Sequence, residues 1–265
     1  MRSKMMRRDV PRTDPSNEVN ADRGGEVHGI LASGGLDSCI LLKHALDSGW
    51  RVKPFYIYSG LFWQRAERDA LERFLDAVAH PRLEPLAILD LPLADVYGDH
   101  WSVTGRGVPA AGTPDEATFL PGRNVLLTIK AALWCQIHGI GDLAMATLRS
   151  NPFPDASDDF FQRLEAVLAV LSAMQPTPIH LRRPFGDLDK QQVMELGRRF
   201  PLELTFSCIA PRGSVHCGRC NKCDERQAAF RLIGERDPTE YAVAAEIATA
   251  SDRHPPRKAK PTGFR

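Results

Sequence analysis

Residues 31–42 read Leu-Ala-Ser-Gly-Gly-Leu-Asp-Ser-Cys-Ile-Leu-Leu, a polar, glycine-bearing turn between two apolar runs. Residues 27–32 read as a short buried strand. Residues 37–46 continue as a helix, with Ile40, Leu41 and Leu42 at apolar positions. A plain strand-to-helix connection needs one glycine and one cap, whereas this one holds Ser33, Gly34, Gly35, Asp37 and Ser38 around Leu36. Such a unit presents several backbone N–H groups and aims a helix N-terminus at whatever binds there, which together form an anion site. Gly34 and Gly35 permit unusual dihedrals and close approach to the main chain. Ser33 and Ser38 can donate hydroxyls to phosphate oxygens, and Asp37 either caps the helix or holds a Mg²⁺ bridging phosphates. The other familiar phosphate loop, GxxxxGK[ST], is absent.

Strand and helix patterns alternate beyond this turn. Residues 52–58 are rich in β formers, and 64–78 show helical spacing at Leu71, Phe74, Leu75 and Val78. A third strand is predicted over 86–91. A Gly/Pro-rich loop over 92–118 leads to a helix over 124–137. A fourth strand (143–148), a helix (158–174), a fifth strand (178–182) and a helix (188–199) follow. The alternation implies an α/β fold with a mainly parallel, doubly wound sheet covered on both faces. Ligands of such sheets bind beyond the C-terminal strand ends, where the turn lies.

The 265 residues carry a formal net charge of +1, with 43% hydrophobic and 25% charged residues. No global field therefore marks nucleic acid as the main partner, and no apolar run is long enough for a membrane span. Residues 1–24 read as a disordered leader and 249–265 as a flexible basic tail. The basic start has no apolar stretch after it, so no secretory signal is expected, and a cytoplasmic location is. The main α/β domain is expected over 25–205.

Six cysteines divide unevenly. Cys39 and Cys135 lie in apolar helical patterns and are expected to pack. Cys208, Cys217, Cys220 and Cys223 cluster near the C-terminus, in a segment expected to form a metal knuckle with following helices over 206–248. Four thiolates suit a closed tetrahedral Zn²⁺. An iron–sulfur cluster is a rival occupant, and His216 an alternative ligand. Arg212, Arg219, Lys222 and Arg226 are candidates to offset the thiolate charge.

The Ser33–Ser38 turn resembles the SGGxDS loop of the N-type ATP pyrophosphatases, whose fold is Rossmann-like, of the adenine nucleotide alpha hydrolase kind. The resemblance implies ATP as co-substrate, adenylation of a substrate oxygen, and adenine near Ile57, Tyr58, Ser59 and Gly60. Together with the cysteine knuckle it extends, over residues 26–235, to the 7-cyano-7-deazaguanine synthase (QueC) family. Phe119-Leu120-Pro121-Gly122-Arg123-Asn124 matches the family's PGRN segment, and Lys190 matches a lysine at the start of a later helix. Cys223-Asp224-Glu225-Arg226-Gln227-Ala228-Ala229-Phe230 is similar to its Cys-x-x-Arg-x-x-x-Phe ending. The resemblance implies a small-molecule substrate, a 7-carboxy-7-deazaguanine carboxylate, converted with ammonia to the nitrile preQ0 by a homodimer. Asp37, Ser38, Arg123 and Lys190 would act on phosphates or carboxylate, Phe153 and Asp155 would face the substrate, and zinc would be structural.

One segment departs from the family. Where relatives have a stretch like GYPDCR, this chain has Asn151-Pro152-Phe153-Pro154-Asp155-Ala156-Ser157, so Ala156-Ser157 replaces Cys-Arg. Trp63, His100 and Trp101 also lie in segments that fit the family poorly; they are candidates to hold a flat heterocycle. Two alternatives follow: a divergent enzyme that joins the adenylated carboxylate to another amine, or an ATP-binding module without catalysis. tRNA thiolation would need a sulfur-carrying cysteine or a cluster.

Overall fold

The computed structural model describes residues 25–172, 174 and 177–242. The leader, the basic tail and residues 243–248 of the C-terminal segment lie outside the described residues. Five strands, β1 (Val27–Leu31), β2 (Arg51–Tyr58), β3 (Ala87–Asp90), β4 (Asp142–Ala144) and β5 (His180–Arg182), form one sheet in the order β3-β2-β1-β4-β5. Every pairing is parallel. The order reverses between β1 and β4, so the glycine turn after β1 sits at the switch point of the sheet.

The period-2 alternation of strand side chains fills both faces. On one face Ile30, Val52 and Tyr56 pack with α1 (Leu36–Asp47) and α2 (Gln64–Ala77). On the other, Leu31, Phe55 and Ile57 meet Ala131, Ala132 and Cys135. Pro54 lacks an N–H yet sits in central β2, because pairing with β3 begins only at Phe55–Ala87. The expected loop over 92–118 contains two single-turn helices, α3 (Ala94–Tyr97) and α4 (Trp101–Thr104), and a 3-10 turn at Asp115–Thr118. The fourth strand is shorter than predicted. After Ala144 the chain leaves the sheet, and Met145, Ala146, Thr147 and Leu148 wall a cavity instead.

The remaining α-helices named among the described residues are α5 (Arg123–Ile137), α6 (Asp158–Ser172), α7 (Lys190–Gly197) and α8 (Asn221–Leu232). A capping box opens α7: Asp189 accepts from the Gln192 N–H at 2.9 Å and the Gln192 side chain accepts from the Asp189 N–H at 2.9 Å, a device that typically contributes about 1 kcal/mol. Gly197 lets α7 approach α1, since a Cβ there would lie 2.5 Å from Ile40 Cγ1. That close packing carries the start of α7 to the start of α1.

Candidate functional site

The C-terminal ends of the strands open into a cavity of about 330 Å³. Its floor is the turn after β1. Gly34 has φ of +77°, and a Cβ on it would stand 2.9 Å from the Glu67 carbonyl oxygen, so glycine is required there. Gly34 faces Glu67, while Ser33, Gly35, Leu36, Asp37 and Ser38 line the cavity. The two serines hold the turn in shape. Ser38 Oγ accepts from the Ser33 N–H and donates to the Gly35 carbonyl, both at 3.2 Å, and lies 3.2 Å from Ser33 Oγ. Gly35 is the N-cap of α1 and brings no side chain to it. Asp37, one of whose expected roles was that of cap, instead meets a lysine from a remote helix.

Lys190 Nζ donates to both Asp37 oxygens, at 2.9 and 2.8 Å, and lies 3.4 Å from Glu225 Oε1. Lys222 Nζ donates to Glu225 Oε2 at 2.5 Å. Four charges of alternating sign thus run along one wall of the cavity. Burial disfavours the Lys190 ammonium, but Asp37 and Glu225 outweigh it and raise its pKa. Burial likewise opposes the Glu225 carboxylate, which Lys222 and Lys190 hold down at about 2. In the protein itself, the Lys190 ammonium faces this pair of carboxylates.

Arg123 is the first residue of α5, placed there by the Pro121–Gly122 turn, with Gly122 at φ of +73°. Its Nε is buried and has no hydrogen-bond partner among the described residues. A glycine cap leaves the first turn of α5 short of an acceptor, and Asp155 supplies it from 31 residues away. Its Oδ2 takes the Asn124 N–H at 3.2 Å, and its Oδ1 the Asn124 amide at 3.2 Å. Burial raises the Asp155 pKa, against those hydrogen bonds and Arg123. Phe153 lines the cavity next to Phe119, with ring centroids 5.2 Å apart, and Trp63 stacks on Trp101 at 5.9 Å. His100 serves a different end: its Nδ1 accepts from the Ser102 N–H and caps α4. Neither Ala156 nor Ser157 lines the cavity. Ala156 is buried, and Ser157 Oγ accepts the Phe160 N–H at the start of α6.

Of the Ile57–Gly60 stretch expected near adenine, Ile57 lines the cavity, next to Phe55 and Tyr56, and Tyr58 does not. Tyr58 is partly buried and packs against the core cluster that holds Tyr56, Leu71 and Phe74. Of the cations expected to offset thiolate charge, Lys222 pairs with Glu225. Arg226 is fully buried, donating to Leu202 O and Thr205 Oγ1, both at 2.7 Å, and to Thr239 Oγ1 at 2.6 Å, and it interacts electrostatically with Cys223.

Glu67 was not singled out by the sequence reading, although a signal existed: it lies four residues before Leu71 on the apolar stripe of α2. It is buried against the turn and lines the cavity. Burial pushes its carboxyl up to about 7, against the opposing pull of Arg123, Tyr56 and Trp63. The Tyr56 hydroxyl lies 2.8 Å from Glu67 Oε2 and 3.0 Å from the Gln64 carbonyl. With one hydrogen to give, it bonds both neighbours fully when Glu67 is protonated and donates to it.

The four C-terminal sulfurs all lie within 4.8 Å of one another, with Cys217–Cys223 and Cys208–Cys220 each at 3.9 Å. A tetrahedron with metal–sulfur bonds of about 2.3 Å has edges of about 3.8 Å, so the set fits a tetrathiolate metal. Backbone N–H groups support the sulfurs: Cys217 N and Ala210 N approach Cys208 Sγ at 3.2 and 3.4 Å, and Arg219 N approaches Cys217 Sγ at 3.4 Å. His216 is not a member, because its Nε2 accepts the Ser207 N–H at 3.0 Å. Cys39 and Cys135 are buried in the two cores, as expected. No helix among the described residues is long and apolar enough to cross a membrane.

A parallel sheet with an SGGxDS turn at its switch point opens on a cavity lined by Asp37, Arg123 and Lys190, the α/β arrangement that the resemblance to ATP pyrophosphatase-type ligases implies. The chain belongs to the family described as queuosine biosynthesis protein QueC, whose model matches residues 29–234. It is similar to the 7-cyano-7-deazaguanine synthase of Methanopyrus kandleri, with 33% identity, covering 80% of this chain and 97% of the relative. The synthases of Cellvibrio japonicus and Methanothrix thermoacetophila are 30% and 29% identical, each over 80% of this chain and 96% of the relative.

Proposed function

We propose that the protein is an ATP-dependent carbon–nitrogen ligase that adenylates the carboxylate of a 7-carboxy-7-deazaguanine and passes it to ammonia, giving the amide and then the nitrile. The observation that carries this reading is the Arg123 guanidinium, whose buried Nε lacks a partner and which shares one cavity with the Ser33–Ser38 turn. A fork donor of fixed charge suits a carboxylate or a phosphate. Under this reading the substrate carboxylate attacks the α-phosphorus of ATP and pyrophosphate leaves along the turn. Ammonia then attacks the acyl carbon and AMP leaves. A second ATP would activate the amide oxygen for loss of water.

The turn's N–H groups, with Ser33 and Ser38, would hold pyrophosphate, and Lys190 would neutralise charge on it. Asp37 would hold Mg²⁺, which supplies further charge neutralisation when bound. Adenine is better accommodated along Phe55, Tyr56 and Ile57 than at Tyr58. Phe119 and Phe153 suit the faces of a deazapurine, and the remaining lone pairs of Asp155 suit its N–H edge. The four cysteines would bind one structural Zn²⁺.

The test is a mass-resolved assay with ATP, Mg²⁺, ammonium and 7-carboxy-7-deazaguanine, with Asp37→Ala as control. The nitrile with AMP and pyrophosphate is the expected outcome, and no ATP cleavage overturns it. A second reading keeps adenylation but changes the amine. It is favoured by the 156–157 loop, where Ala156 is buried and Ser157 caps a helix, so no cation reaches the cavity from there. AMP release without a nitrile would support it.

A further inference from the structure

Glu225 lies on α8 two residues after Cys223, the last of the clustered cysteines, and yet lines the ATP-side cavity. Its two oxygens separate two lysines: Oε1 is 3.4 Å from Lys190 Nζ and Oε2 is 2.5 Å from Lys222 Nζ. Helices α7 and α8 pack together, so this bridge joins the cysteine-bearing segment to the lysine that meets the turn. A second tie runs alongside: the Phe206 N–H, two residues before Cys208, donates to the Gly34 carbonyl at 2.7 Å. Both ends of the cysteine segment are thus fastened to the phosphate end of the cavity.

We infer that Glu225 is a positioning residue for nucleotide binding, anchoring Lys190 at the turn so that the cysteine-bearing helix forms part of the phosphate site. The inference rests on the reading that the cavity binds ATP. In the protein alone, Asp37 and Glu225 share the Lys190 ammonium. An incoming triphosphate brings several negative charges and a divalent cation, and the cation competes with Lys190 for Asp37. With Asp37 engaged by the cation, Glu225 is the remaining carboxylate that fixes Lys190 where phosphate oxygens arrive. Without Glu225 the ammonium has Asp37 as its single carboxylate partner, and each gain in cation binding at Asp37 leaves a flexible four-carbon side chain unanchored. Lys222 completes the device by neutralising Glu225, which would otherwise repel the triphosphate.

The experiment measures equilibrium binding of Mg²⁺·ATP, and separately of adenosine, to the full-length wild-type chain, Glu225→Gln, Lys190→Met and the double variant. Bound metal is determined in each by elemental analysis. Glu225→Gln is expected to weaken ATP binding about tenfold, the size of one charge-assisted contact, with adenosine binding and metal content unchanged. In the Lys190→Met background the same substitution is expected to have little effect, because the residue it positions is gone. Glu225→Asp, which keeps the charge with a shorter reach, should recover part of the affinity. Loss of metal in Glu225→Gln also overturns the inference, because the change in ATP affinity would then run through the cysteine site.

Equal ATP affinity of Glu225→Gln and wild type overturns the inference and leaves the ATP reading standing. Additive effects of the two single substitutions, or an equal loss of adenosine binding, overturn it as well. A wild-type chain that binds no ATP overturns the underlying reading itself.

Discussion

A Cβ on Gly34 would stand 2.9 Å from the main-chain oxygen of Glu67, and Gly34 holds φ of +77°. The turn after β1 and the first turn of α2 are therefore packed backbone to backbone, and only the absence of a side chain allows it. Gly34→Ala is expected to destabilise the protein by about 1–3 kcal/mol, through the left-handed conformation and the clash. Gly35, at φ of −75°, would place a Cβ 3.4 Å from Ser33 Oγ in ordinary contact. Gly35→Ala should therefore hold its Tm while losing ATP affinity, since Gly35 lines the cavity. Thermal unfolding and equilibrium ATP binding on the two variants check both halves.

Asp37 and Lys190 form a partly exposed ion pair, with side chains 26% and 19% accessible. Such a pair contributes little stability, about 1 kcal/mol or less. Asp37→Asn and Lys190→Met should each leave unfolding nearly unchanged and lower pyrophosphate release by roughly 100-fold. The exchange Asp37→Lys/Lys190→Asp restores an ion pair but not turnover, because cation and phosphate need their partners on the original sides. Restored turnover in the exchange variant would assign the pair a structural role.

The sulfur geometry makes metal content a direct readout. One zinc per chain is expected by elemental analysis, and stoichiometric iron would count against it. Cys208→Ser or Cys223→Ser should lose the metal and lower Tm by roughly 10 °C or more, since ligand binding at such a site is folding free energy. Because Phe206 N–H is bonded to the Gly34 carbonyl, chelation should also weaken ATP binding.

Glu67 gives the pH dependence of stability a distinctive sign. Its folded pKa, about 7, is above the ordinary value of 4.5, so the folded state binds more protons between these values. Stability from this group is present in full below about pH 4.5 and is lost as pH rises through 7, with a span on the order of 3 kcal/mol. Glu67→Gln should remove that slope. Urea unfolding from pH 5 to 8 on both proteins checks it; parallel curves would show that Glu67 is not protonated in the folded state.

Much of the site was legible because its chemistry is local in the chain. The strand–SGGLDS–helix unit is a contiguous run of residues, and the anion site proposed for it rests on backbone donors that any such turn presents. The four cysteines were legible for a similar reason, because metal chelation selects one residue type at short spacings. Which β2 side chains reach the cavity, Phe55, Tyr56 and Ile57 but not Tyr58, depends on how the strand end packs and was not legible from position along the strand. Asp155 was read as a substrate group, and the fold adds a second duty, that of supplying the acceptor a glycine cap cannot bring to α5.

The sequence by itself determined the α/β class, the glycine-bearing turn after β1, the four-cysteine cluster and Arg123 at the opening of a helix. The tertiary structure alone decided that Lys190 meets Asp37 across 153 residues, that Glu225 ties the cysteine helix to both, and that Glu67 is buried beneath the turn. The reason is physical. Backbone donors, caps and chelating spacings act between near neighbours in the chain. The charge state and partner of a carboxylate depend instead on desolvation and on ions brought close by packing, such as the Gly197–Ile40 contact that sets α7 against α1.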